Sequence, residues 1–496
     1  MLDLARWRAN LTPNRKAVLF NNAWYTYAQL NERAEQLAGR LAEAGVKRGD
    51  RVGIIAYNHL CHLDLILAAP KLGFIYTPMN FRLSDEEQQG MAHYLQPSFM
   101  FHDRRHAEAA QFFDCPLQPL DGYNEWLDAA PPAPVPPHLT AEDTHMILQT
   151  GGSTGTPKGA QIPYRQVMFN ALNTITAWGV TENDCAIQAT PAFHAAINVL
   201  TLPLLYAGGR VVWMVVFDPN DYLQWSDDHG VTLWFLVPTM YQILCDHPDY
   251  DYTDHSKVRW AISGGAPCPE PIRRAFEEHK IGFKQGYGLT EAGVNCFAME
   301  VEDAAERPDS VGKGMLTLQA VIRRPDGSRC APDEIGELTL RGAQTFTGYY
   351  NKPEETAETL RDGWVWTGDL ATYDDQGYYY IRGRRKEMYI SGGENVYPKE
   401  VEDALYELDG IVECAVVGVP DPHWGETGLA AIVTQPGYEL DRDTLRKELQ
   451  MRLARYKVPR EIMFVEELPK GAAGKILKFR VRQMYEDIQN EVSVGA

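Results

Sequence analysis

The sequence is poor in cysteine, in long apolar runs and in basic charge. Eight cysteines are spread over 496 residues, at positions 61, 115, 185, 245, 268, 296, 330 and 414, and no two form a C-x-x-C pair. Such spacing excludes a disulfide scaffold and takes support from zinc or thioredoxin-type chemistry. Reduced, mostly structural thiols are expected. The most apolar stretch, 199–217, is interrupted by Pro203, Gly208, Gly209 and Arg210, so no membrane span is expected. The N-terminal stretch MLDLARWRANLTPNRKAV carries scattered charges and no apolar core, and a cytoplasmic protein is expected. Lysine and arginine total 47 against 67 aspartates and glutamates, a formal net charge of −20. A nucleic-acid-coating protein needs a basic footprint, so nucleic acid is excluded as the main partner. Small anions stay open, because a few local cations and backbone amides hold them against a distant negative field.

What is present is ordinary globular material, 45% hydrophobic and 23% charged. At roughly 100–200 residues per domain, the length suggests several domains. Thr26-Tyr27-Ala28-Gln29 has the form of a capping box, followed by Leu30, Ala34, Leu37 and Leu41 on one helical face, with Gly45 as a stop. Strand signals over 51–57, 74–78 and 99–102 alternate with helical ones over 59–72 and 85–95. That rhythm predicts a parallel, helix-covered sheet. Residues 131–137, PPAPVPP, read as a stiff connector. Strands are again expected over 145–149, 233–237, 260–263 and 281–284, and a small β subdomain over about 310–350. The tail reads as a separate α+β unit, with helices over 398–408 and 441–453 and strands over 412–419, 429–434 and 461–465.

The richest stretch is TGGSTGTPKG, from Thr150 to Gly159. Gly151, Gly152 and Gly155 let backbone N–H groups converge on an anion, Ser153, Thr154 and Thr156 add hydroxyl donors, and Lys158 adds a cation. A Walker A loop is excluded, because Pro157 precedes the lysine and Gly159 follows it.

This run resembles the phosphate-binding loop of the adenylate-forming superfamily, which includes acyl- and aryl-CoA synthetases, peptide-synthetase adenylation domains and luciferases. Four further stretches stand in the family's order: QGYGLTEAG at 285–293, WTGDL at 366–370, GRRKEMYISGGENVYP at 383–398 and PKGAAGKIL at 469–477. The resemblance implies an α/β protein: a large N-terminal domain of helix-covered sheets with a small β subdomain over 1–385, and a small mobile α+β domain over 386–496. It implies that Tyr287, with Gly288, faces an adenine, that Thr290 donates to the α-phosphate, and that Glu291, with the Thr154 hydroxyl, holds Mg²⁺. The backbone of Gly264, Gly265 and Ala266 is expected either to line the adenine site or to be a plain strand-to-helix turn. Asp369 and Arg384 are expected at the ribose, Lys386 at the hinge, and Arg385 in a solvated basic cluster. Lys475 is expected to bridge the substrate carboxylate and the α-phosphate. Gly392 and Gly393 are expected beside the pantetheine arm, where a side chain would obstruct.

The implied reaction is an ATP-dependent acid:CoA ligation through acyl-AMP, using ATP, Mg²⁺ and coenzyme A as a monomer or homodimer. Pro191-Ala192-Phe193-His194 matches the stretch beside the carboxylate pocket. His194, as a catalytic or rim residue, stands where amino-acid-activating relatives carry aspartate, which excludes an α-amino acid substrate. Residues 193–200, 234–239 and 294–297 are expected to line the acyl pocket, with Trp234 against the substrate and Asn198 and Asn295 as its only amides. No cation stands there for a second carboxylate. A medium- or long-chain fatty acid is expected first, an aryl acid of the benzoate or cinnamate type second, and an acyl-AMP ligase loading a carrier protein is the further alternative.

Overall fold

The computed structural model describes residues 2–150, 157–438, 440–471 and 476–494, of which 490–494 as backbone alone. The chain divides into two compact units. One comprises Met1–Gly265, Ala275–Ala320 and Leu340–Trp366; the other comprises Ala266–Arg274, Val321–Thr339 and Thr367–Ala496.

The first unit holds two seven-stranded sheets. In one, parallel strands run in the order Phe283–Gln285, Trp260–Ser263, Leu233–Leu236, Cys185–Gln188, Arg210–Trp213 and Lys16–Phe20, closed by antiparallel Ala23–Thr26. In the other, Arg51–Ile55 pairs in parallel with Ile75–Pro78 and Phe99–His102, and Ile75–Pro78 with Thr144–Thr150. Thr144–Thr150 then turns back as Lys158–Pro163. The predicted capping box is present: Thr26 Oγ1 accepts from the Gln29 N–H, and Gln29 Oε1 accepts from the Thr26 N–H at 2.8 Å. The helix it opens, Tyr27–Glu43, buries Leu30, Ala34, Leu37 and Leu41. Leu60–Leu72 is buried round almost its whole circumference, as expected for a helix inside a layered α/β core. It stops at Gly73, whose φ of 84° suits only glycine without strain.

The stretch expected to form a separate β subdomain does yield short strands, Leu318–Arg323, Gly336–Gly342 and Gly348–Tyr349. The last of these does not stay in a subdomain. It adds to the edge of the large sheet, with Tyr349 opposite Ala160 and Gly348 opposite Gln161.

The second unit contains the α+β tail. Ile411–Asp421 and Gly425–Thr434 form a long antiparallel hairpin, flanked by parallel Glu461–Phe464 and by Tyr389–Ser391 with Glu394–Val396. The helices Pro398–Tyr406 and Arg442–Arg452 bury Val401, Leu405, Leu445 and Leu449 in its core. Among the described residues no helix is long and apolar enough to cross a membrane.

Candidate active site

Thr150 and Lys158 are cross-strand partners on the two strands that flank the glycine-rich run. Gly151, Gly152, Ser153, Thr154 and Gly155 lie outside the described residues. Two strand positions from Lys158 on the same face is Ala160, the partner of Tyr349. That register sets the Lys158 ammonium 5.3 Å from the centre of the Tyr349 ring. The Tyr349 hydroxyl in turn donates to Glu291 Oε1 at 2.7 Å, with both residues buried. Burial, together with the neighbouring carboxylate, raises the Tyr349 phenol well above its usual range, so it remains a donor at neutral pH. The sequence singled out Lys158 and Glu291; Tyr349, which joins them, carried no signal beyond its place in a strand-like run.

Thr290, Glu291 and Ala292 form one 3₁₀ turn, held from below by Gln166, whose Nε2 donates to the Thr290 carbonyl at 2.7 Å. Gly288 cannot be replaced, since a Cβ there would come within 2.0 Å of the Val294 carbonyl oxygen. Tyr287 lies edge-on to Phe297, with ring centres 5.7 Å apart. Gly264 and Gly265 follow directly on strand Trp260–Ser263; Gly265 takes φ +88°, and Ala266 is exposed.

Beside Thr290 lies a cavity. Leu148, Ile162, Val167, Ala195 and Val294 supply its apolar wall, Gln166, Asn170 and Asn198 its amides, and among the described residues no ionisable side chain lines it. Its enclosed space is small, about 10 Å³, room for about one water. Ala195, Asn198 and Val294, from two of the three segments expected around the acid, line this cavity. Trp234, expected against the substrate, is fully buried and packs edge-on against Tyr222, His255 and Phe276. It belongs to the core, because its strand is the third of seven and covered on both faces. Asn295 is also structural, donating to Thr174 Oγ1 and to the Val199 carbonyl. His194 is half-buried, 4.3 Å from the Phe193 ring and one residue before Ala195 on the cavity wall.

In the second unit, Asp369 and Arg384 are cross-strand partners, and Arg384 Nε lies 2.9 Å from Asp369 Oδ1. The carboxylate is buried and the guanidinium exposed. Arg385, expected to be solvated, is exposed and also pairs with the buried Glu337 carboxylate at 2.8 Å, while Glu337 accepts from the Gly368 N–H. Lys386 is exposed in the turn after strand Tyr379–Arg384.

Gly392 and Gly393 form the two-residue connection between strands Tyr389–Ser391 and Glu394–Val396. Their φ values are +61° and +88°, the sign that a primed hairpin turn demands at both central positions. A Cβ on Gly392 would also press to 2.5 Å from the Trp424 ring, whereas one on Gly393 would meet open space. The hairpin alone therefore explains both glycines.

Lys475 lies outside the described residues. Its flanks are joined by a bridge between Lys470 and Ile476, and Lys478 is clamped between Glu387 at 2.9 Å and Glu402 at 2.8 Å. No cluster of three histidines, cysteines, aspartates or glutamates that could hold a metal occurs among the described residues. A single anchored carboxylate such as Glu291 nevertheless fits Mg²⁺, which keeps waters and binds through one or two carboxylates plus substrate phosphates.

The family model described as AMP-binding enzyme matches residues 5–350, and that of the AMP-binding enzyme C-terminal domain matches residues 400–475. The chain belongs to the AMP-binding enzyme family. It is an AMP-forming acid:CoA ligase that uses ATP, Mg²⁺ and coenzyme A. It is 38% identical over 96% of its length to a feruloyl-CoA synthase of Amycolatopsis, covering 97% of that protein. It is 30% identical to the long-chain-fatty-acid–CoA ligase FadD13 of Mycobacterium tuberculosis, over 97% of this chain and 98% of that one. Among solved structures, the o-succinylbenzoate CoA synthetase of Bacillus subtilis in complex with its acyl-adenylate intermediate superposes with a TM-score of 0.89 at 28% identity, over 97% and 98% of the two chains.

Proposed function

We propose that the acid is an aryl carboxylate of the benzoate or cinnamate class. The observation that carries this reading is the cavity beside Thr290, aliphatic in its walls yet holding three carboxamides and, among the described residues, no charge. A fatty-acyl chain has no use for buried amides, which cost free energy wherever they are not paired. A flat ring with polar substituents uses both kinds of surface. The 38% identity to a feruloyl-CoA synthase supports the same class. A medium- or long-chain fatty acid is the second reading, favoured by the aliphatic wall itself and by the likeness to FadD13.

In the first half-reaction the acid carboxylate attacks the α-phosphorus of ATP, forming acyl-AMP and releasing pyrophosphate. Lys158 and the run from Thr150 to Gly155 cradle the phosphates, and the Thr290 hydroxyl donates to the α-phosphate. Tyr287 and Gly288, with the backbone of Gly264, Gly265 and Ala266, receive the adenine. Glu291, held by Tyr349, and Thr154 hold Mg²⁺, which when bound neutralises phosphate charge. Asp369 accepts from the ribose hydroxyls beside Arg384. Lys475 stabilises the charge that develops between carboxylate and α-phosphate. His194 shapes the cavity rim.

In the second half-reaction the CoA thiol attacks the acyl-AMP carbonyl and AMP leaves. The 386–496 domain, turning about Lys386, serves the two steps with different faces, Lys475 in the first and the Gly392–Gly393 turn in the second. The test is an acid panel with ATP and CoA, read by pyrophosphate release and thioester mass. Benzoates or cinnamates give the highest kcat/KM, and alanine, phenylalanine and malonate give none. A fatty acid at the head of the panel overturns the aryl assignment.

A further inference from the structure

Several carboxamides around the cavity are paired. Asn170 Nδ2 donates to the Asn198 carbonyl at 2.7 Å, and Asn170 Oδ1 accepts from the Asn295 N–H at 3.2 Å. Gln344 Nε2 donates to the carbonyls of Ala292 and Asn295, while Gln344 Oε1 accepts from Asn173. Two oxygens stand out. Gln166 Oε1 and Asn198 Oδ1 are buried, and among the described residues neither has a hydrogen-bond partner. Both residues line the cavity, and they are 3% and 6% exposed.

The orientation of Gln166 follows from its neighbour. Its terminal group lies 2.7 Å from the Thr290 carbonyl oxygen, which only accepts, so the NH₂ faces Thr290 and the oxygen is left over. Among the described residues Asn198 Nδ2 has only a long contact, 4.0 Å to Met146 Sδ, and its oxygen is the second acceptor. Buried acceptors without donors are rare in folded proteins and carry a desolvation cost. Two unpaired acceptors on residues that line one cavity are complementary to a molecule bringing hydrogen-bond donors.

We infer that Asn198 and Gln166 are specificity-determining residues that select a ring-hydroxylated aryl acid, the hydroxyl donating to Asn198 Oδ1 or Gln166 Oε1. The inference rests on the aryl-acid reading above and goes beyond it by naming the substituent and the residues that read it. A site built to pair a hydroxyl discriminates strongly against the analogue that lacks it, because the site's own polar atoms then stay unpaired. A methoxyl cannot replace the hydroxyl, since an ether oxygen accepts and does not donate.

The experiment compares kcat/KM for pyrophosphate release with cinnamic acid, its 3- and 4-hydroxy derivatives, its 4-methoxy derivative and decanoic acid. At least one hydroxylated acid exceeds unsubstituted cinnamic acid by tenfold or more, and the methoxy acid shows no such gain. In Asn198→Leu or Gln166→Met the hydroxyl-to-unsubstituted ratio falls toward one, since the variant supplies no acceptor. The wild-type series needs no variant and tests the idea even where a buried substitution impairs folding. Equal turnover of hydroxylated and unsubstituted cinnamates by the wild-type enzyme overturns the inference and leaves the aryl reading standing. A hydroxyl preference undiminished in both variants also overturns it. Decanoic acid outperforming every cinnamate overturns the aryl reading, and the inference with it.

Discussion

Tyr349 holds Glu291: its hydroxyl donates to Oε1 at 2.7 Å, and the face of the same ring lies 5.3 Å from the Lys158 ammonium. One aromatic side chain thereby links the carboxylate assigned to Mg²⁺ with the lysine assigned to the phosphates. The contact exists because the short strand Gly348–Tyr349 pairs with Lys158–Pro163.

Tyr349→Phe keeps the ring and removes the donor. A hydrogen bond to a charged group contributes about 1.5–3 kcal/mol, so the half-saturating Mg²⁺ concentration rises by roughly tenfold or more. Turnover at saturating Mg²⁺ recovers to within a few-fold of wild type. Glu291→Gln shifts the same titration further while AMP binding changes less. A Mg²⁺ titration of pyrophosphate release, beside calorimetric AMP binding, checks both; an unchanged titration in Tyr349→Phe removes the bond from the metal site.

Lys475 and Gly393 separate the half-reactions. Losing a preorganised cation costs about 10²–10³ in rate. Lys475→Ala therefore fails with acid plus ATP yet converts supplied acyl-AMP and CoA to thioester. Gly393 takes φ +88° with open space beyond a Cβ, so Gly393→Asn, which tolerates that conformation, adds a side chain with little backbone strain. That variant forms acyl-AMP and stalls. Equal loss of both steps in both variants defeats the two-face mechanism.

Two buried histidines set an acid limit. Burial lowers His62 to about 3 and His145 to about 4, so both are neutral in the folded state. The unfolded chain takes up their protons below about pH 6.5, and stability is lost as pH falls from there toward about 4. The slope is at most roughly 2–3 kcal/mol per pH unit for the pair. Urea midpoints at pH 7 and pH 5 show the drop. His145→Gln, which keeps a donor toward the Ile66 carbonyl that His145 Nε2 now meets at 2.9 Å, flattens it. An identical midpoint at the two pH values contradicts the account.

Lys478 behaves in the opposite sense. Burial alone lowers its pKa, but the carboxylates of Glu402 and Glu387 outweigh it and leave the group raised. Its contribution is complete below the unfolded value near pH 10.4 and fades only above that. Lys478→Met leaves two carboxylates facing each other and, given their partial exposure, costs about 2 kcal/mol. Thermal melting shows a constant deficit from pH 7 to pH 9; a deficit that vanishes within that range rules the clamp out.

Local signals in the sequence were sufficient for much of this protein. Thr26 and Gln29 are three residues apart, and their capping box forms as read because both partners lie within one helical turn. Helix 85–95 and strands 99–102 and 260–263 coincide with their periodicity. The five ordered motifs sufficed for the family, since each is contiguous. Tertiary structure decided what contiguous sequence does not encode. Tyr349 meets Glu291 across 58 positions, and Arg385 meets Glu337 across 48. Trp234 was drawn into the core because its strand is interior to the sheet. Gly392 and Gly393 are glycines because a two-residue hairpin turns there. Which buried amide is paired and which, among the described residues, is left with an unpaired oxygen, Asn295 or Asn198, depends on the donors that other segments bring within reach, and strand register and helix packing set those distances.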